Sequence, residues 1–110
     1  MMRKRAALAA LVVVFGAAPI ISGAAELPAS RKAELERLLV HDCGSCHGMT
    51  LKGGLGSPLL PKVLAAKDRD ALADVILDGV PGTPMPPWRP LLSRDDALLL
   101  VDMLKKGRIP

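Results

Sequence analysis

Cys43-Gly44-Ser45-Cys46-His47 is the stretch on which the reading of this chain turns. Two thiols at this spacing can each add to a vinyl group of one porphyrin, and an imidazole directly after the second can reach its iron. The pattern is that of covalent haem attachment. Two other chemistries use the same residue types. A redox-active disulfide between Cys43 and Cys46 belongs to a strand-to-helix setting in a βαβ fold, and a zinc site needs a second ligand cluster. Neither context fits here: a helix precedes the motif, no alternating strand pattern is visible, and His41 is the sole other histidine.

Upstream of the motif, Ser30 reads as an N-cap for a helix from Arg31 to about Asp42, with Leu35, Leu38 and Leu39 on one stripe. Downstream, Gly48 to Pro61 reads as a glycine- and proline-rich loop, and Pro61 can open a short helix through Ala66. The next helix starts after Asp68 and ends at Gly79, burying Leu72, Val75 and Ile76. Five prolines between Val80 and Pro90 forbid regular structure there, so side chains or a ligand must hold that segment. A last helix follows Ser93, with Asp96 completing a capping box, an apolar face from Ala97 to Leu104, and Lys105 and Lys106 before Gly107. The expected fold class is all-α.

Residues 1–25 have the layout of a cleaved secretory signal: Arg3, Lys4 and Arg5, then an apolar run, then Ser22, Gly23, Ala24 and Ala25. An uncleaved anchor fits less well, because the run from Ala6 to Ile21 holds Pro19 and falls short of the about 20 residues needed to span a bilayer. The expected organisation is a signal over 1–25 and one domain over 26–110, exported to the periplasm and not membrane-spanning after cleavage. Cleavage removes three of the 15 basic residues and none of the 11 acidic ones, so the net charge of +4 falls to +1. Two ionised haem propionates would take it to about −1. Basicity therefore gives no reason to expect a nucleic-acid partner. Cleavage also removes Phe15 and leaves Trp88 as the one aromatic. A domain of this size lacks the large side chains that dominate burial, and a porphyrin can take their place.

A second axial ligand has to reach the other face of the ring. Met49 and His41 lie too close to the motif, and Met103 belongs to the apolar face of the last helix. Met85, 38 residues after His47, sits in a loop that prolines hold extended, so little entropy is lost in presenting its thioether. His47 and Met85 together would fill both axial positions and raise the potential, which implies one-electron transfer rather than catalysis. A five-coordinate haem enzyme or sensor, with Met85 loosely held, is the alternative.

At this point the sequence resembles the class I c-type cytochromes across the whole of the domain. In that family a glycine-proline element follows the haem histidine, and its proline carbonyl accepts the second imidazole N–H; Gly56-Ser57-Pro58-Leu59 is similar to that element, which implies this role for Pro58. The resemblance also implies that the first and last helices cross. Many members carry a glycine and an aromatic eight and four residues before the first cysteine, where this chain has Leu35 and Leu39, and Leu99 or Leu100 stands in for an aromatic on the last helix.

More narrowly, the run from Cys43 to Gly56 together with Asp78-Gly-Val-Pro-Gly-Thr-Pro-Met-Pro-Pro-Trp88 resembles the small NirC-type cytochromes of denitrifying bacteria. That resemblance implies a monomeric carrier with one haem c, delivering electrons to the haem cd nitrite reductase or serving maturation of its haem d. Lys52, Lys62, Lys67 and Arg89 are either a docking ring around a haem edge or ordinary solvated charges. Trp88 packs either on the haem or in the core.

Overall fold

The computed structural model describes residues 9–19 and 26–107. Residues 9–19 are exposed and without regular structure, and the expected cleavage segment at 20–25 lies outside the described residues, as does the basic run Arg3 to Arg5. All regular structure among the described residues is helical: α1 Ala29–Leu38, a π-helical turn Leu39–Cys43, α2 Gly44–His47, α3 Pro61–Leu64, α4 Arg69–Asp78 and α5 Arg94–Lys106. None of these helices is long and apolar enough to cross a membrane.

α1 begins differently from the expectation. Pro28 occupies the cap position with no side-chain bond, and Ser30 is already inside the helix. The first helical acceptor is the Pro28 carbonyl, bonded by the Lys32 N–H, so the chain turns two residues before serine can cap it. Because α1 leads through the π turn into α2, the motif is the end of one continuous helical run. π turns concentrate at functional sites, and this one has both motif cysteines at or just beyond its end.

α4 and α5 follow the sequence closely. Asp68 caps α4 by accepting from the Ala71 N–H at 2.8 Å. Ser93 and Asp96 form the full capping box of α5, and Gly107 closes that helix in the left-handed conformation. The core gathers Leu35 and Leu39 with Ala73, Leu77, Ala97, Leu100, Val101 and Leu104, all buried. Each such leucine stabilises the fold by about 1.5–3 kcal/mol over leaving it exposed. α1 packs on α5 through aliphatic side chains, at positions where the family resemblance implied an aromatic; Leu100 is buried and Leu99 half-buried.

An ion pair reinforces that crossing. The Arg31 guanidinium donates to both carboxylate oxygens of Asp96, at 3.1 and 2.7 Å, and to the Leu91 carbonyl at 3.2 Å. Asp96 is buried, and its own carboxylate also receives the Ser93 N–H. The Arg31 hydrogen bond, with those from Ser93, holds the Asp96 carboxyl below the usual carboxylate range despite its burial.

The apolar face expected to bury α4 needs correction. Ala73 and Leu77 enter the core, whereas Leu72 and Ile76 are half-buried and Val75 is exposed; these three line a cavity instead. α4 has two adjoining apolar faces, and the spacing of its leucines does not say which one meets protein.

Candidate haem site

That cavity has a volume of about 720 Å³, within the range of small-molecule and cofactor sites. Cys43, Cys46 and His47 line it from the motif, Gly56 to Leu59 from the following loop, and Met85 and Trp88 from the proline segment. Most of the remaining lining is aliphatic, from Leu38, Leu59, Leu64, Val75, Ile76 and Leu100, with Asp42 and Lys67 the charged side chains that reach it. Of Met49, Met85 and Met103, Met85 alone borders it; Met49 is exposed and Met103 is in the core. His41 is exposed and does not border it.

The histidine is held by the loop that follows it. Its Nδ1 lies 2.7 Å from the Ser57 carbonyl, which fixes the ring and leaves Nε2 as the remaining ring nitrogen. The acceptor is thus Ser57, not Pro58 as the family resemblance implied. The loop is pulled tight by the Gly56 N–H donating to the Cys46 carbonyl at 2.8 Å and the Gly53 N–H donating to that of His47 at 2.9 Å, and this brings the carbonyl one residue earlier under the imidazole. Pro58 borders the cavity and lies against Gly53. Gly56 is required by contact alone: a Cβ there would stand 2.7 Å from the imidazole.

Met85 is held through its backbone. Its carbonyl accepts from the Val80 N–H at 3.2 Å and its N–H donates to the Thr83 hydroxyl oxygen at 3.3 Å. Beyond it, the N–H groups of Trp88 and Arg89 donate to the Ile76 and Leu77 carbonyls, at 3.1 and 3.0 Å, so the segment satisfies the end of α4. Gly79, with φ 67° and ψ −171°, lets these backbones meet; a Cβ there would lie 2.7 Å from the Pro86 carbonyl carbon. Both readings of Trp88 meet here, since its side chain packs on the core and also lines the cavity.

Sequence reasoning missed Ser57 and Thr83. The resemblance pointed one residue past Ser57, and a threonine between prolines carries no signal until its hydroxyl is seen bridging two backbone groups. Of the four suggested docking cations, Lys67 lines the cavity and Lys52 and Lys62 are exposed. Arg89 is committed elsewhere, with two bonds to Asp78 at 2.6 and 3.0 Å.

The donor set can be tested against its alternatives. Burial, with Asp42 adding to it, pushes the Cys43 thiol up to about 11, the reverse of the depressed value that activates a dithiol for exchange. Among the described residues no group of three or more His, Cys, Asp or Glu side chains is placed to hold a metal ion. Two thiols, an oriented imidazole and a thioether around an aliphatic cavity fit a haem.

An all-α fold closed around such a cavity defines the class, a c-type cytochrome. The family model described as "Cytochrome C oxidase, cbb3-type, subunit III" matches residues 30–103. The chain is 50% identical over 97 residues to "Cytochrome c55X" of Paracoccus denitrificans (strain Pd 1222), covering 88% of this chain and 92% of that protein. It is 52% identical over 101 residues to "Cytochrome c55X" of Pseudomonas aeruginosa, covering 91% and 84%. Among solved structures, "c-type cytochrome NirC" matches with a TM-score of 0.74 and 53% identity over 76% of this chain and 100% of that one. A segment of "Dihydro-heme d1 dehydrogenase NirN in complex with DHE" matches with a TM-score of 0.59 and 35% identity, over 68% of this chain and 16% of that one. The chain belongs to this cytochrome c family, as a small cytochrome of the NirC type, and the family implies electron transfer.

Proposed function

We propose that the chain carries single electrons in the periplasm for the haem cd nitrite reductase of denitrification. In this reading it holds one haem c per chain, through thioethers to Cys43 and Cys46 and axial bonds from His47 and Met85. The observation that carries the proposal is the convergence of those four side chains on one aliphatic cavity. A haem bound there supplies a one-electron couple, with a potential that methionine ligation raises.

Each residue then has a separable task. His47, oriented by the Ser57 carbonyl, presents Nε2; the proline segment presents the Met85 thioether without much entropy to lose; the aliphatic lining excludes water. Were His47 and Met85 both to bind the iron of a haem held there, no open site would remain for substrate or oxygen, which favours a carrier over an enzyme. Export rests on the signal-like pattern of residues 1–25, and the nitrite reductase system on the likeness to NirC and NirN.

Mass spectrometry of the periplasmic protein tests export and attachment together: the expected species is a chain shortened by about 25 residues plus one haem. Met85→Ala should abolish the charge-transfer absorption of methionine-ligated ferric haem and lower the potential. An unchanged spectrum and potential would remove Met85 from the ligand set. Rapid carbon monoxide binding by the ferrous wild type would favour the five-coordinate alternative.

The likeness to a dihydro-haem d1 dehydrogenase favours a second reading, in maturation of haem d. A dehydrogenation releases two electrons and two protons, and a one-electron carrier would take the electrons in two encounters. Gene deletion separates the roles: reductase lacking haem d indicates maturation, whereas full cofactor with slow turnover indicates electron supply.

A further inference from the structure

We infer that Thr83 is a positioning residue for Met85, setting how readily the thioether leaves its place in the cavity; this rests on the reading of Met85 as an axial ligand. The Thr83 hydroxyl donates to the Val80 carbonyl at 2.7 Å, and its oxygen accepts the Met85 N–H at the longer distance of 3.3 Å. The Thr83 N–H also donates to the Val80 carbonyl, at 3.1 Å, and the Val80 N–H donates to the Met85 carbonyl. Residues 80–85 are thereby closed into a small ring of hydrogen bonds, with Thr83 as its only side-chain member.

The need for a hydroxyl follows from the neighbours. Pro84 and Pro86 have no N–H to give, so the Met85 N–H is the one donor between them, and Pro84 has to stand between it and the Thr83 backbone. A side chain two residues back that both donates and accepts can bridge the proline. Thr83 itself lines the cavity but is exposed, so its effect on stability is small while its effect on Met85 is direct.

An exogenous ligand can take the iron only when Met85 is displaced, and displacement opens the ring that Thr83 closes. The apparent affinity for such a ligand is its intrinsic affinity scaled by the open fraction. Removing hydrogen bonds made only in the closed form raises that fraction. Bonds of ordinary net strength, discounted for exposure, correspond to about a five- to tenfold change.

The test is a titration of the ferric holoprotein with imidazole, followed by loss of the methionine charge-transfer absorption. Thr83→Val, of similar shape but without the hydroxyl, and Thr83→Ala should both bind imidazole about five- to tenfold more tightly than wild type. Thr83→Ser, which keeps donor and acceptor, should stay within about twofold of wild type. Wild-type affinity in the valine and alanine variants would overturn the inference, as would a serine variant shifted as far as valine. Met85→Ala, followed through the Soret band, separates the two levels. If it binds imidazole no more tightly than wild type, Met85 is not the competing ligand and the reading beneath the inference fails too. If it binds far more tightly while the Thr83 variants do not move, the role of Thr83 alone fails.

Discussion

The loop after His47 and the loop that carries Met85 border one cavity by different means. Around His47 the side chain itself is bonded, Nδ1 to the Ser57 carbonyl, and Gly56 lies so near that a Cβ added there would stand 2.7 Å from the ring. Around Met85 every bond is to the backbone, and the thioether is placed by where the chain is held. The contrast separates an anchor from a gate: the imidazole is fixed by a contact of its own ring, whereas the methionine is held through the backbone ring around it and leaves when that ring opens.

Substitutions can set the two loops against each other, and the largest effect is expected at Gly79. An alanine there meets the Pro86 carbonyl carbon at 2.7 Å in a backbone conformation that favours glycine. Strain and overpacking together should cost about 2–5 kcal/mol, read by urea denaturation of the holoprotein. The methionine absorption should vanish while haem stays attached. Gly56→Ala, with a Cβ 2.7 Å from the imidazole, should cost about 1–3 kcal/mol and lower the yield of haem-loaded protein. If both variants gave the same spectrum, the distinction between anchor and gate would collapse.

The α1–α5 joint lies outside both loops, and its variants should lower stability without changing the contrast between them. Ser93→Ala removes half of the capping box and should cost about 1 kcal/mol without altering the absorption spectrum. The same joint gives an acid dependence. The Asp96 carboxyl is held below its ordinary 3.8 by Arg31 and Ser93, so its stabilisation is complete above that value and is lost as the pH falls through the depressed one. Asp96→Asn should flatten stability against pH in that acid range and leave the neutral-to-basic slope unchanged. Arg89→Gln should do least. Its pair with Asp78 is about 58% exposed on both sides, and such pairs contribute within about 0.5 kcal/mol.

Much of this arrangement could be read from residues with strong local physics. The capping box of α5 and the Asp68 start of α4 depend on neighbours within one turn, and the Cys43 to His47 motif carries its chemistry in five positions. The π turn could not be read, because a change in helical bonding over five residues leaves the apolar stripe almost unaltered. Nor could the choice of the Ser57 carbonyl over that of Pro58, which depends on how tightly Gly53 and Gly56 draw the loop onto the end of α2. The same holds for the cavity-facing side of α4, since Leu72, Val75 and Ile76 are as apolar as the residues that enter the core. Local rules place the elements; which carbonyl or face is used is decided by contacts between segments far apart in the chain.

The tight closure of residues 46–57 has a consequence in time. The bond from His47 to Ser57 spans ten residues, so the entropy lost in closing that ring is small and the ring can form without α4 or α5. The segment that carries Met85, by contrast, is bonded to the end of α4 through Trp88 and Arg89, so its placement depends on a helix far from the motif. A chain emerging N-terminus first therefore presents two thiols and a directed imidazole while its C-terminal third is still unplaced, an order that suits attachment before enclosure.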